Sequence, residues 1–115
     1  MTQLHEFMLL FRFDLNASTP QPEVEAEMHK QWGSFIGKLA MSGALVGTHQ
    51  LGDSGKILNS TETLDGVHSA ENSVLGGTLL LKAPTIEAAA ELAKDCPILA
   101  MGGTVEVRDV IQVTL

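Results

Sequence analysis

The stretch Leu4–Phe13 constrains the fold more than any other part of this chain. Taken with a period of two, it puts His5, Phe7, Leu9, Phe11 and Phe13 on one face and Leu4, Glu6, Met8, Leu10 and Arg12 on the other. A strand that is apolar on both faces is expected in the middle of a sheet, covered above and below.

A long helix is expected next. Ser18 or Thr19 can cap it, Pro20 suits its first position, and Glu23, Glu25 and Glu27 favour the positive end of its dipole. Val24, Met28, Trp32, Phe35, Ile36 and Leu39 recur at spacings of three and four, which makes one apolar stripe. Gly33 and Gly37 each cost roughly 1 kcal/mol there relative to Ala, and such small residues point to close contact with a strand or a second helix. Ser42-Gly43 ends the helix.

Leu45–Leu51 is a second strand, with Leu45, Gly47, His49 and Leu51 on its inward face. Gly52-Asp53-Ser54-Gly55 is a turn, Lys56–Thr61 an exposed return strand of a hairpin, and Thr63–Val74 a loop without a period. Gly77–Lys82 is a buried strand. Pro84-Thr85 opens a second helix with Ile86, Ala89, Ala90 and Ala93 inward and Leu92 on the flank. Asp95-Cys96-Pro97 closes it, Ile98–Met101 adds a short turn, and Gly102-Gly103 breaks that. Thr104–Leu115 is the last strand, with Val105, Val107, Ile111, Val113 and Leu115 on one face, interrupted only by Asp109.

This order predicts an α+β chain. It is a ferredoxin-like βαββαβ arrangement with an extra hairpin, an antiparallel sheet and both helices on one face, in a single domain over residues 1–115. The other sheet face still carries many apolar side chains, and so large a patch marks an interface. A symmetric homodimer packing two sheets face to face would cover it, and the closing strand is placed to reach the partner.

Composition narrows the function. The hydrophobic fraction of 44% supports a core, while a net charge of −7 with only seven scattered Lys and Arg argues against nucleic acid and against an acidic membrane surface. The one cysteine, Cys96, leaves no internal disulfide, which fits a reducing cytoplasm; it reads as a small buried apolar residue. The first residues lack a basic region and a cleavage site, so no signal peptide is expected. The longest apolar run falls far short of the roughly 18 residues of a membrane span. A cytoplasmic location is the expectation.

The candidate chemistry lies mainly in Asp65–Gly77, where His68 stands between Asp65 and Glu71. An imidazole beside a carboxylate can act as a general base, and the plainer alternative is a polar loop residue. His49, inward on its strand, is the second proton carrier; the alternative is a hydrogen-bonded core or pocket-lining residue. His29 sits at the edge of the helix stripe, and His5 near the N-terminus reads as structural or exposed. Trp32 and Phe35 read as core rather than as a stacking platform. Arg108 faces away from the Val105/Val107 row and can anchor a carboxylate, while strand alternation disfavours its pairing with Glu106 or Asp109. A metal would need His49, Asp65 and His68 to converge, and no short-spaced ligand motif is present. No phosphate loop, serine elbow or cofactor fingerprint occurs, so no cofactor is expected.

Several of these residues also carry a likeness. Phe35, Leu39, Gly43 and Leu45, then Asp65-Gly66 through Gly76-Gly77, then Gly102-Gly103-Thr104-Val105-Glu106-Val107-Arg108 follow in order the pattern of one group. The chain resembles the YCII-related proteins, and within them the DGPF type, over nearly its whole length. It departs from the signature at Val67 and His68, which replace Pro and Phe, at Ala70, Asn72 and Ser73, and at Asp109, which replaces a final Pro. Some members have a His on the first helix proposed to pair with an Asp. Trp32 stands at that position here, and His29 lies one turn earlier. The resemblance implies a dimeric α/β barrel with a cleft between sheet and loops in each subunit, in a family largely without assigned activity. Its relatives by fold are often lyases, isomerases and monooxygenases. The expected function is therefore a cofactor-free small-molecule lyase or isomerase with His68 or His49 as proton carrier, Asp65 as orienter and Arg108, Trp32 and His29 around the substrate. The alternative is a non-catalytic ligand-binding or regulatory dimer.

Overall fold

The strand apolar on both faces does lie in the middle of the sheet. The structure, a computed structural model, describes residues 3–16 and 21–114. In it β1 (His5–Asp14) is followed by α1 (Pro22–Met41), β2 (Leu45–Gln50), β3 (Lys56–Leu58), β4 (Thr63–Asp65), β5 (Ser69–Ala70), β6 (Ser73–Ala83), α2 (Ile86–Ala93), a 3-10 turn (Pro97–Met101) and β7 (Thr104–Asp109). The main sheet has the order β2-β6-β1-β7, each neighbour antiparallel, with β5 paired to one end of β6. This is the ferredoxin-like α+β arrangement. Two of its connections, through α1 and through α2, each skip over one strand.

Both helices lie on the face of Phe7, Leu9 and Phe11. There Leu79, Leu81 and Ala83 of β6, Phe35 and Leu39 of α1, Ala89 and Ala93 of α2, Cys96 and Ile98 complete the core. Leu9, Leu79, Leu81 and Ile98 are fully buried, each stabilising the fold by about 1.5–3 kcal/mol. Small residues let α2 approach: Ala89 is buried completely. Its start is fixed by Thr85, whose Oγ1 accepts the Ala88 N–H at 3.1 Å. The end of α1 is fixed by Ser42, whose hydroxyl donates to the Leu39 carbonyl at 3.0 Å, and by Gly43 in the left-handed region at φ 79.

The structure departs from the sequence expectations at six places. Ser18, Thr19 and Pro20 lie outside the described residues, and α1 begins at Pro22 behind Gln21, which caps it with no side-chain bond. A Cβ on Gly33 or Gly37 would meet nothing within 4 Å, so no close approach within the subunit explains them. Ile86 is exposed, and the inner stripe of α2 narrows to Ala89 and Ala93 flanked by Ala88 and Leu92. β3 pairs with β4 rather than returning to β2. Residues 63–74 are not an unstructured loop: they hold β4, β5 and a turn at Glu71-Asn72, both with positive φ, as two-residue hairpins need. Strands of two or three residues are too short to display a period.

The sixth departure is at the closing strand. It stops at Asp109, although the Val110 N–H still donates to the Glu6 carbonyl at 3.1 Å. Ile111 and Val113 beyond it are exposed, and Leu115 lies outside the described residues.

The molecule is a slab of 48 × 47 × 20 Å. A helix with its side chains is about 10 Å across, so this thickness holds one sheet and one layer of helix and leaves the second sheet face uncovered. Met8, Leu10 and Leu80 are only partly buried there.

Candidate functional site

Register decides which candidate groups share a surface, because residues opposite each other on paired strands point the same way. Leu45 stands opposite Leu81, on the core face. An irregularity between Leu45 and Gly47 then resets the pairing, so that Gly47 faces Leu80 and His49 faces Thr78. His49 therefore joins Thr78 and Leu10 on the uncovered face and is exposed, not inward as its spacing from Leu45 implied. One extra residue in a strand moves every later side chain to the other face. The Thr48 hydroxyl secures this edge by donating to the Thr78 carbonyl at 2.9 Å.

Arg108 faces Met8 and Glu106 faces Leu10, so both stand on the uncovered face at the opposite edge. Arg108 Nη1 donates to Glu106 Oε2 at 3.2 Å, the ion pair that alternation disfavoured. Residues two apart on a strand share a face about 7 Å apart, and a guanidinium on a long stem closes that gap. His49 and Arg108 are separated by three strand spacings, about 14 Å, so they do not touch within one chain.

Arg12 completes this surface. It faces Leu75 and Thr104 and is partly buried. The sequence reading placed it on the face of Met8 and Leu10 but did not take it as functional. The signal was there: one cation ending the row in which Met8 and Leu10 precede it.

The signature loop behaves differently. Asp65 Oδ1 accepts from Lys56 Nζ at 2.5 Å across the β3–β4 hairpin, and both side chains are mostly exposed. Gly66, at φ 118, donates its N–H to the Gly55 carbonyl at 2.8 Å. A Cβ on Gly55 would lie 2.7 Å from Val67 Cγ1 and 3.0 Å from the Gly66 carbonyl oxygen, so close approach holds the glycine there, whereas at Gly66 the positive φ does. His68 follows in the exposed connection to β5, and Glu71 is a turn residue. Among the described residues no hydrogen bond joins either imidazole to a carboxylate.

Trp32 sits on the helix side of the sheet, its ring 5.3 Å from that of Phe11 and 6.1 Å from that of Phe35. Trp32 and Arg108 are thus on opposite sides of the sheet and cannot line one cleft of a single chain. His29 is exposed on α1. Cys96 is buried, and desolvation pushes its thiol up to about 11, offset in part by a hydrogen bond with the Ile98 backbone.

Two of the open grooves among the described residues bear on the candidate groups. One of about 540 Å3 lies among Asp53, Lys56, Asp65 and Gly66, and one of about 440 Å3 lies between the helices among Phe35, Lys38, Leu39, Leu92 and Asp95. No imidazole lines either. Among the described residues no three His, Cys, Asp or Glu side chains converge as metal ligands, and no helix is long and apolar enough to cross a membrane.

The sequence model of the YCII-related domain matches residues 6–114, nearly the whole chain. No curated protein matches it.

Proposed function

The chain belongs to the YCII-related domain family, and on that premise we propose that it is a homodimer that handles a small organic molecule. Its two sheet faces oppose each other, and the tail with Ile111 and Val113 reaches the partner. The chemistry is proton transfer without a cofactor, of lyase or isomerase type, in a protein of the cytoplasm.

The observation that carries this reading is the uncovered sheet face. It is apolar at its centre, with Met8, Leu10 and Leu80, and it bears Arg12, Arg108 and His49 around that centre. Such a surface suits a ligand with an apolar body and a carboxylate. Arg108 is its anchor and His49 the proton carrier on this face. His68, with Asp65 as orienter, is the carrier a loop would bring. Trp32 and His29 belong to the helix layer and take no part.

A second reading is favoured by the ion pairs. Asp65 is engaged by Lys56 and Glu106 by Arg108, so neither imidazole has a carboxylate to orient it. That arrangement suits a non-catalytic ligand-binding or regulatory dimer.

One experiment addresses both. Isotope-labelled protein is titrated with a panel of small carboxylic acids while amide resonances are followed. An acid that shifts Met8, Leu10 and Leu80, and that Arg108→Ala no longer binds, supports the site. Shifts confined to α1 and α2, or undiminished binding by Arg108→Ala, overturn it. Conversion of the bound acid, lost in His49→Ala or His68→Ala with binding retained, marks an enzyme; binding without conversion marks the second reading.

A further inference from the structure

The hairpin of β3 and β4 is well built, and no other strand or helix among the described residues packs substantially on it. At its tip Asn59 Oδ1 accepts from the Thr61 N–H, the Thr61 hydroxyl and the Glu62 N–H, each at 2.9 Å. The Asn59 N–H donates to the Glu62 carbonyl at 3.0 Å, and Lys56 and Asp65 pair across its base. Yet β3 and β4 contact each other and make no substantial contact with any other strand or helix. Ile57 stands opposite Leu64 on one hairpin face, 37% and 45% exposed, and Leu58 is 71% exposed. An isolated two-stranded hairpin is at best marginally stable in water, so an ordered one with an apolar face needs a surface to lie on.

The size of the molecule points to what supplies that surface. Its radius of gyration is 16.0 Å, where a compact chain of this length has about 13 Å. Its accessible surface is 8370 Å2, where a monomer of 12.3 kDa has about 6,100 Å2. The surplus of roughly 2,300 Å2 matches what one subunit of an obligate homodimer gives up, about 1,000–2,500 Å2.

We infer that the β3–β4 hairpin is a dimer arm that lays its Ile57/Leu64 face on a second copy of this chain. This rests on the homodimer proposed above and adds a second contact to it. By two-fold symmetry each dimer holds the arm contact twice. The arm also fixes the base from which Asp65 and His68 project, so those two groups are presented at the subunit boundary.

Sedimentation velocity on the full chain tests the arm, comparing wild type with Ile57→Ser/Leu64→Ser and with the sheet-face variant Leu10→Asp. The arm predicts that the double hairpin variant raises the dimer dissociation constant at least tenfold. Backbone resonances of β1 and β6 should keep their dispersion, which shows that the subunit still folds. A hairpin variant that dimerises as tightly as wild type overturns the arm. If Leu10→Asp dissociates at the same time, the sheet-face dimer stands without it. A monomeric wild type removes both.

Discussion

Trp32 meets Phe11 edge to face, the two rings 5.3 Å apart and inclined at 82°. Phe35 also meets the indole edge to face, at 6.1 Å and 77°, so three aromatic rings tie α1 to the middle of the sheet. Edge-to-face pairs add about 0.5–1.5 kcal/mol to the area they bury. Trp32→Ala is therefore expected to lower unfolding stability by about 3 kcal/mol, read as a shift of the urea midpoint. A ligand platform would behave otherwise, losing affinity with little change in midpoint.

The two adjacent glycines inside β6 are not equivalent. A Cβ on Gly76 would overlap the Phe13 ring at Cδ2 and Cε2. On Gly77 its nearest neighbour is the His49 carbonyl oxygen, at 3.1 Å. Gly76→Ala must displace a partly buried aromatic ring, at a cost of about 1–3 kcal/mol. Thermal melts should show Phe13→Leu recovering part of that loss in the Gly76→Ala background, because the two positions are in contact.

Cys96 is predicted to be inert while the chain is folded. Burial raises its thiol from 9.0 to about 11, so at pH 8 the thiolate is about a hundredfold scarcer than in an ordinary thiol. Iodoacetamide should label it about a hundredfold more slowly than the denatured chain. The same shift sets a pH dependence. Below 9.0 both folded and unfolded thiols hold their proton and the contribution is constant. Between 9.0 and about 11 the unfolded thiol ionises first, so stability falls as pH rises. The Cys96→Ala variant should lack that part of the decline.

The architecture was legible because it rests on long periodic segments. β1 shows ten residues of alternation and α1 a stripe that recurs every three or four residues, and both elements form within about two residues of where the pattern puts them, although Val24 at the start of the stripe is exposed. The candidate site was less legible, for physical reasons that can be named. His49 changed faces through one irregularity beside Gly47, which alternation alone does not reveal. Arg108 reached Glu106 because side-chain length, not spacing, decides such a pair. β4 and β5 carry too few residues for any period, and the turn between β5 and β6 uses Glu71-Asn72 instead of the usual glycine pair. The end of β7 at Asp109 was hidden by continued alternation in Ile111 and Val113, which stay apolar although no strand pairs with them.

The central claim is that a second copy covers the sheet face of Met8, Leu10 and Leu80, and the molar mass in solution tests it most directly. Sedimentation equilibrium of the wild-type chain should give twice the chain mass of 12.3 kDa. With Leu10→Asp, which sets a carboxylate in the middle of the apolar patch, it should fall to the single-chain value. A wild-type mass of 12.3 kDa at every concentration that gives a readable gradient would contradict the account.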